Sequence, residues 1–164
     1  MPPSLNEIGI RNPEPRVLSM HLEVGRHAPR GPMAEGVRKR HYAFRADGLL
    51  FCTPTGSPAY CYSCGGRQMK KADARFQAVA ISPFRRTFAP LMLARGARCT
   101  MRMSGPERAQ FFIDGHLKPG KRGGFLVYLV DYPADVHAER SKSRAQGRAC
   151  VGLAAFYDCR NGYF

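Results

Sequence analysis

A chain of 164 residues is long enough for one domain with a real core, or for one domain and a tail. Thirteen prolines, 17 glycines and no tryptophan argue against a helical bundle and for short elements joined by many turns. No apolar run approaches the length that crosses a bilayer. The formal net charge of +14, carried mostly by arginine, fits polyanionic partners such as nucleotides, nucleic acid or acidic membrane surfaces, and equally fits an arginine-biased background.

In chain order, Leu5 to Ile10 reads as a strand. The run Val17 to Val24 sets Leu18, Met20, Leu22 and Val24 on one face and Ser19, His21 and Glu23 on the other, the period of a half-buried strand. Residues 25–40 are rich in Pro, Gly and Arg and read as an exposed loop or enlarged hairpin end. Tyr42 to Phe44 and Leu49 to Cys52 flank Asp47-Gly48, which is expected to be a hairpin turn. Leu49 to Cys52 is apolar throughout, as in a buried strand. Thr53-Pro54-Thr55-Gly56 is turn chemistry. Ser57 is expected to cap a helix that starts at Pro58 and runs to Cys64, leaving free backbone N–H groups at its N-terminus for a polar or anionic ligand.

Further on, Ala78 to Ser82 is a strand stopped by Pro83. Cys99, Met101 and Met103 alternate with Thr100, Arg102 and Ser104. Gln110 to Ile113 runs into Asp114-Gly115, a second hairpin signal, and Phe125 to Val130 is the last clear strand. Beyond Pro133 the pattern weakens. Residues 138–148 are charged and expected to be solvated, and Cys150 to Tyr157 is apolar enough to dock on the core as a strand or a short helix. The expected fold is mainly β, with antiparallel sheets packed face to face. The expected division is a β domain over 1–132 and an extension over 133–164, partly docked or disordered.

Six cysteines are present and no secretory segment is recognisable, so reduced thiols in an intracellular compartment are expected, cytoplasmic first and mitochondrial as the alternative. Cys61-x-x-Cys64 has zinc-ligand spacing, but no second close Cys or His pair completes a site, and no metal site is expected. The five histidines are scattered, without Ser/His/Asp or His-x-x-x-His spacing.

The block from Arg45 to Tyr60, Arg-Ala-Asp-Gly-Leu-Leu-Phe-Cys-Thr-Pro-Thr-Gly-Ser-Pro-Ala-Tyr, followed by Ser63-Cys64-Gly65-Gly66, resembles the signature of the NAD kinase family. There a DG-containing strand leads into a TPTGS-x-AY turn and a small-residue helix ending in Gly-Gly. Leu5-Asn6-Glu7, Ile81-Ser82-Pro83 with Phe88-Ala89-Pro90-Leu91, and Phe112-Ile113-Asp114-Gly115 are similar to further family segments in the same order. The resemblance covers about residues 4 to 130 and implies the β-rich, NAD-binding C-terminal domain with stacked sheets.

It also implies roles. Asn6 and Glu7 would hold the adenosine ribose of NAD, and both residue types suit ribose hydroxyls. Asp47 would accept from the nicotinamide amide. Ala59, Tyr60 and Ser63 would line the nicotinamide side, with Thr55 in the turn beside them. Arg45 would reach a phosphate or a neighbouring subunit's ligand. Asp114 reads as a turn residue and is left outside the site. Pro58 stands where the family has Thr, and Ala89 where it has Arg. The family's GGDGT motif, whose Asp is taken as the base for the 2′-hydroxyl and whose glycines hold ATP phosphates, does not occur in these residues. No catalytic residue is therefore expected here, and ATP with Mg would come with a complementing N-terminal kinase domain.

The implied activity is phosphorylation of the adenosine-ribose 2′-hydroxyl of NAD to give NADP, with NAD as substrate and a homo-oligomer or a complementing domain as partner. The alternatives are a non-catalytic dinucleotide-binding or regulatory relative, and a basic RNA-binding β module. No membrane partner is expected.

Overall fold

The computed structural model describes residues 4–14, 16–26, 39–104, 109–118, 124–132 and 150–158. Most of the basic segment expected over 25–40, and all of the solvated one expected over 138–148, lie outside the described residues. Among the described residues there are eleven strands: β1 (Glu7–Arg11), β2 (Leu18–Arg26), β3 (Arg40–Ala46), β4 (Gly48–Cys52), β5 (Phe76–Ile81), β6 (Leu91–Leu93), β7 (Ala97–Ser104), β8 (Gln110–Ile113), β9 (His116–Lys118), β10 (Gly124–Tyr132) and β11 (Cys150–Asp158). They form a six-stranded sheet in the order β6-β5-β4-β1-β8-β9 and a five-stranded sheet in the order β11-β10-β7-β2-β3. Every pairing among the described residues is antiparallel. The segment after Cys150, open between strand and helix on sequence, is a strand paired with β10 along its whole length.

The alternation read from the sequence sets the core. Leu18, Met20, Leu22 and Val24 of β2 are buried, together with Phe44, Ala46, Cys99 and Met101 of the same sheet. Facing them in one cluster are Ile8, Ile10, Leu49, Phe51, Phe76, Ala78, Phe111 and Ile113 of the other sheet. A second, smaller cluster lies on the opposite face of the six-stranded sheet, where Leu50, Cys52, Val79 and Phe112 meet Cys61 from the segment after the Thr53 turn. Strand β4 is thus buried on both faces, which is why its sequence is apolar without alternation.

That double burial overturns the hairpin expected at Asp47-Gly48. Strand β3 pairs with β2 in one sheet, and β4 pairs with β1 and β5 in the other, so Asp47 is a crossing point between sheets. A hairpin would have left β4 beside β3, in the wrong layer to cover both of its apolar faces. The type I′ turn needs positive φ at both central residues, and neither Asp47 nor Gly48 has it. Gly48 is used instead for close approach: a Cβ there would stand 2.2 Å from the Ile10 carbonyl oxygen. The hairpin expected at Asp114-Gly115 is present, with φ of 48° and 74° joining β8 to β9.

Candidate functional site

The Thr53–Gly56 turn is held from inside. The Thr53 hydroxyl donates to the Leu5 carbonyl and accepts the Gly56 N–H at 3.1 Å. The Thr53 N–H donates to the Asn6 carbonyl at 2.9 Å. Gly56 presses its backbone onto that of Asn6, where a Cβ would stand 2.3 Å from the Asn6 oxygen. The turn and the Asn6-Glu7 segment are therefore one unit, joined backbone to backbone.

The helix expected from Pro58 to Cys64 is present but irregular, a wide turn that continues helically through Tyr62 and Ser63. A wide helical turn spans Ser57–Cys61, broken at Ala59 (φ −95°, ψ −126°), and Gly56 occupies the cap position. Ser57 does not cap it. Its buried hydroxyl donates to the Pro54 carbonyl at 2.8 Å and accepts the Met69 N–H at 2.8 Å, tying the turn to the chain that returns from it. The expected free N–H groups are also engaged: Gly56 donates to Thr53, Ser57 to Pro54 and Ala59 to Gly56, while Pro58 has none to offer. The corner is not an open anion nest.

At the start of β1, Asn6 is half-buried and Glu7 is 6% exposed, opposite Cys52. Burial raises the Glu7 carboxyl above the usual carboxylate range, the Asp114 charge raises it further, and the Gly115 N–H opposes them. At the far end of β1, Arg11 pairs with Gly48 and its Nε donates to Gln110 Oε1 at 3.0 Å. Tyr60 stands here, 36% exposed, with its ring 6.1 Å from that of Phe112. Phe112 lies across Gly9, where the absent side chain leaves room for the ring. Partial burial pushes the Tyr60 phenol above its ordinary range, with Cys64 and Asp47 adding to the push and Arg11 opposing it. Asp47 is held through its backbone, donating to the Ile81 carbonyl at 3.0 Å and accepting from Asn12 at 2.8 Å.

Of the residues expected in a site, Asn6, Glu7 and the Thr53–Gly56 turn with half-buried Thr55 gather at one end of β1. Asp47 and Tyr60 lie toward the other end, with exposed Ala59 and Ser63 close to Tyr60 in the chain. Arg45 stands apart. It lies exposed on the outer face of β3, its guanidinium 5.1 Å from the centre of the Phe84 ring, in a groove of about 350 Å³ with Ser19, His21 and Thr87. Arg11, Phe112 and Asp114 were not expected at the site. For Asp114 the Asp-Gly pair was a visible signal of the turn, but nothing local marks what its carboxylate does.

Cys52, Cys61 and Cys64 lie together in the smaller apolar cluster. A hydrogen bond with Cys61 and burial push the Cys52 thiol up, and burial beside Cys61 pushes Cys64 up to about 11. Cys52 and Cys64 are thereby held as neutral thiols, packed under a turn. Among the described residues, no group of three or more His, Cys, Asp or Glu could hold a metal ion, and no helix is long and apolar enough to cross a membrane.

Residues 9–125 match the family described as the ATP-NAD kinase C-terminal domain. The chain belongs to that family. It is 35% identical over 99 residues to the NAD kinase of Methanoregula boonei, covering 57% of this chain and 37% of that relative. It is 33% identical over 137 residues to NAD kinase 2 of a Synechococcus species, covering 80% of this chain and 40% of the relative. The chain therefore spans well under half the length of the curated relatives it matches.

The fold is shared with an NAD kinase from Archaeoglobus fulgidus, solved in complex with ATP, at a TM-score of 0.59 and 23% identity over 74% of this chain and 43% of that one. It is shared with yeast NADH kinase, solved with NADH, at a TM-score of 0.59 and 19% identity over 74% and 33% of the two chains. At these identities the likeness establishes the stacked-sheet fold of an NAD kinase C-terminal domain.

Proposed function

We propose that this NAD kinase C-terminal domain holds the dinucleotide substrate of an NAD kinase, presenting the adenosine-ribose 2′-hydroxyl of NAD for phosphorylation to NADP. The observation that carries this reading is the pair of polar clusters at the two ends of β1, on the side where the helical turn packs. One comprises Asn6-Glu7 locked to the Thr53–Gly56 turn, and the other sets Arg11 next to Asp47-Gly48 in the β1–β4 register, with the Tyr60 ring beside Phe112. From Asn6 to Arg11 is five strand steps, about 17 Å, a length that suits an extended dinucleotide.

Asn6 and Glu7 would take the ribose hydroxyls, Asp47 would accept from the nicotinamide amide, Ala59, Tyr60 and Ser63 would line the nicotinamide side, and Thr55 would contact the ligand from the turn. Arg45, on the far face, would serve a phosphate or a neighbouring subunit rather than the same ligand. The residues present fit substrate binding by hydrogen bonding and stacking. Mg-ATP and the base would come from a GGDGT-bearing domain, in a longer protein or on a partner chain, because phosphoryl transfer needs its phosphate-holding backbone and metal as well as a positioned acceptor.

Calorimetry of NAD binding tests the reading. NAD should bind the 164-residue chain, and Asp47→Ala should weaken binding by roughly ten- to a hundredfold, the worth of one charge-assisted hydrogen bond. The pure chain should form no NADP from ATP and NAD. Equal affinity in wild type and Asp47→Ala removes Asp47 from the site, and absence of any NAD binding refutes the assignment.

A further inference from the structure

We infer that Asp114 is the positioning residue for the Asn6-Glu7 pair, an assignment that rests on the ribose-binding reading proposed above. Its carboxylate receives four donors from one short segment more than a hundred positions away. The Ser4 hydroxyl lies 2.6 Å from Oδ1, the Asn6 N–H 2.8 Å and the Glu7 N–H 3.3 Å from the same oxygen, and the Leu5 N–H 3.1 Å from Oδ2. In return the Asp114 N–H donates to the Glu7 carbonyl at 2.9 Å, and the Ser4 hydroxyl sits 2.8 Å from that same carbonyl. Three consecutive backbone N–H groups thus converge on one anion, as they would on a bound phosphate. Here the protein supplies the anion itself.

The turn does not require this carboxylate. Asp114 and Gly115 take left-handed φ, which Asn-Gly or Gly-Gly serves as well. An aspartate at this place also sets a negative charge beside Glu7, a repulsion that an amide would avoid. What only the carboxylate does is fix the direction of residues 4–7 as they enter β1. Opposite it, Thr53 holds the Asn6 and Leu5 carbonyls. The segment is gripped by its N–H groups on one side and its carbonyls on the other, and its side chains are aimed accordingly. Charge-assisted bonds of this kind are about twice as strong as neutral ones.

Asp114→Gly is the informative variant, because glycine keeps the left-handed turn and removes only the strap. Asp114→Asn keeps an oxygen for the Oδ1 donors, loses the Leu5 contact and loses the charge. The full 164-residue chain is titrated with AMP, which carries the adenosine ribose, and with nicotinamide mononucleotide, which does not. Asp114→Gly should lose about tenfold or more in AMP affinity while nicotinamide mononucleotide stays within about twofold, and Asp114→Asn should fall between.

Equal losses for both ligands would mean a structural role only, and would overturn the assignment. So would unchanged AMP affinity in a folded Asp114→Gly chain. A wild-type chain that binds AMP, nicotinamide mononucleotide and NAD not at all overturns the ribose reading itself. Amide exchange at Leu5, Asn6 and Glu7 then still reports whether the strap exists, since Asp114→Gly should speed it. If Asp114→Gly does not fold, Ser4→Ala should give a smaller loss of the same AMP-selective kind, and a loss shared by both ligands would again overturn the assignment.

Discussion

Replacing Gly56 by alanine tests whether the turn and the Asn6-Glu7 segment are one unit. Gly56 has φ −81° and ψ −8°, an ordinary right-handed conformation that alanine adopts freely. Were there space, Gly56→Ala would stabilise the protein by roughly 0.4–1 kcal/mol, by narrowing the unfolded ensemble. There is none. The new Cβ would stand 2.3, 2.5 and 2.6 Å from the oxygen, carbonyl carbon and Cα of Asn6, all backbone atoms that cannot swing aside. Restoring a contact of about 3.5 Å requires the turn and the segment to part by about 1 Å.

The Thr53 N–H to Asn6 carbonyl bond, now 2.9 Å, would stretch past hydrogen-bonding length. Overpacking at about 1–3 kcal/mol and one lost bond at about 1 kcal/mol give a loss of about 2–4 kcal/mol. For a chain of this size that lowers Tm by roughly 4–16 °C. Because the displaced residue is Asn6, NAD affinity should fall by about tenfold or more in the same variant.

Gly65→Ala is the comparison. Gly65 has φ 86° with nothing within 4 Å of the added carbon, so it should lose only about 1–2 kcal/mol, the left-handed penalty, and leave NAD binding unchanged. Thermal unfolding and calorimetry on both variants decide the matter. A Gly56→Ala chain that melts at or above the wild-type temperature and binds NAD equally would show that the close approach is not there.

Glu7→Gln should raise Tm near neutral pH. The buried Glu7 carboxyl is raised in the folded protein, so folding favours its protonated form and stability falls as pH climbs from the ordinary carboxylate range through the raised folded value. The advantage of Gln should shrink as pH drops below the ordinary range, where Glu7 is neutral in both states; a gap that persists unchanged at acid pH would refute the burial argument. Gln77→Leu should destabilise by about 1–3 kcal/mol in denaturant unfolding, since fully buried Gln77 donates to the Arg67 carbonyl at 2.6 Å and accepts the Arg67 N–H at 3.0 Å, and leucine leaves both groups unpaired. A change within about 0.5 kcal/mol would show that water or another group takes them over.

Local pattern determined a good part of this protein. The period-two runs around Met20 and Met101 specified which side chains enter the core, because a strand alternates faces whatever it pairs with. Asp114-Gly115 specified a hairpin, because a left-handed pair has few other solutions. The unbroken apolar run Leu49 to Cys52 specified a strand covered on both faces, the Thr-Pro-Thr-Gly run specified the turn, and the whole block from Arg45 to Gly66 carried the family resemblance.

What local pattern left open was which sheet each strand joins. Asp47-Gly48 carries the residues of a hairpin and is a crossing between layers, because β4 can bury both faces only between β1 and β5. Ser57 has the chemistry of a cap and instead ties Pro54 to Met69, because folding brings the returning chain within reach of its hydroxyl. Arg11 beside Tyr60, and Asp114 beneath Asn6 and Glu7, are products of strand order. Their partners lie 49 and about 108 positions away in the sequence, and only the pairing of β1 with β4 and β8 brings them together.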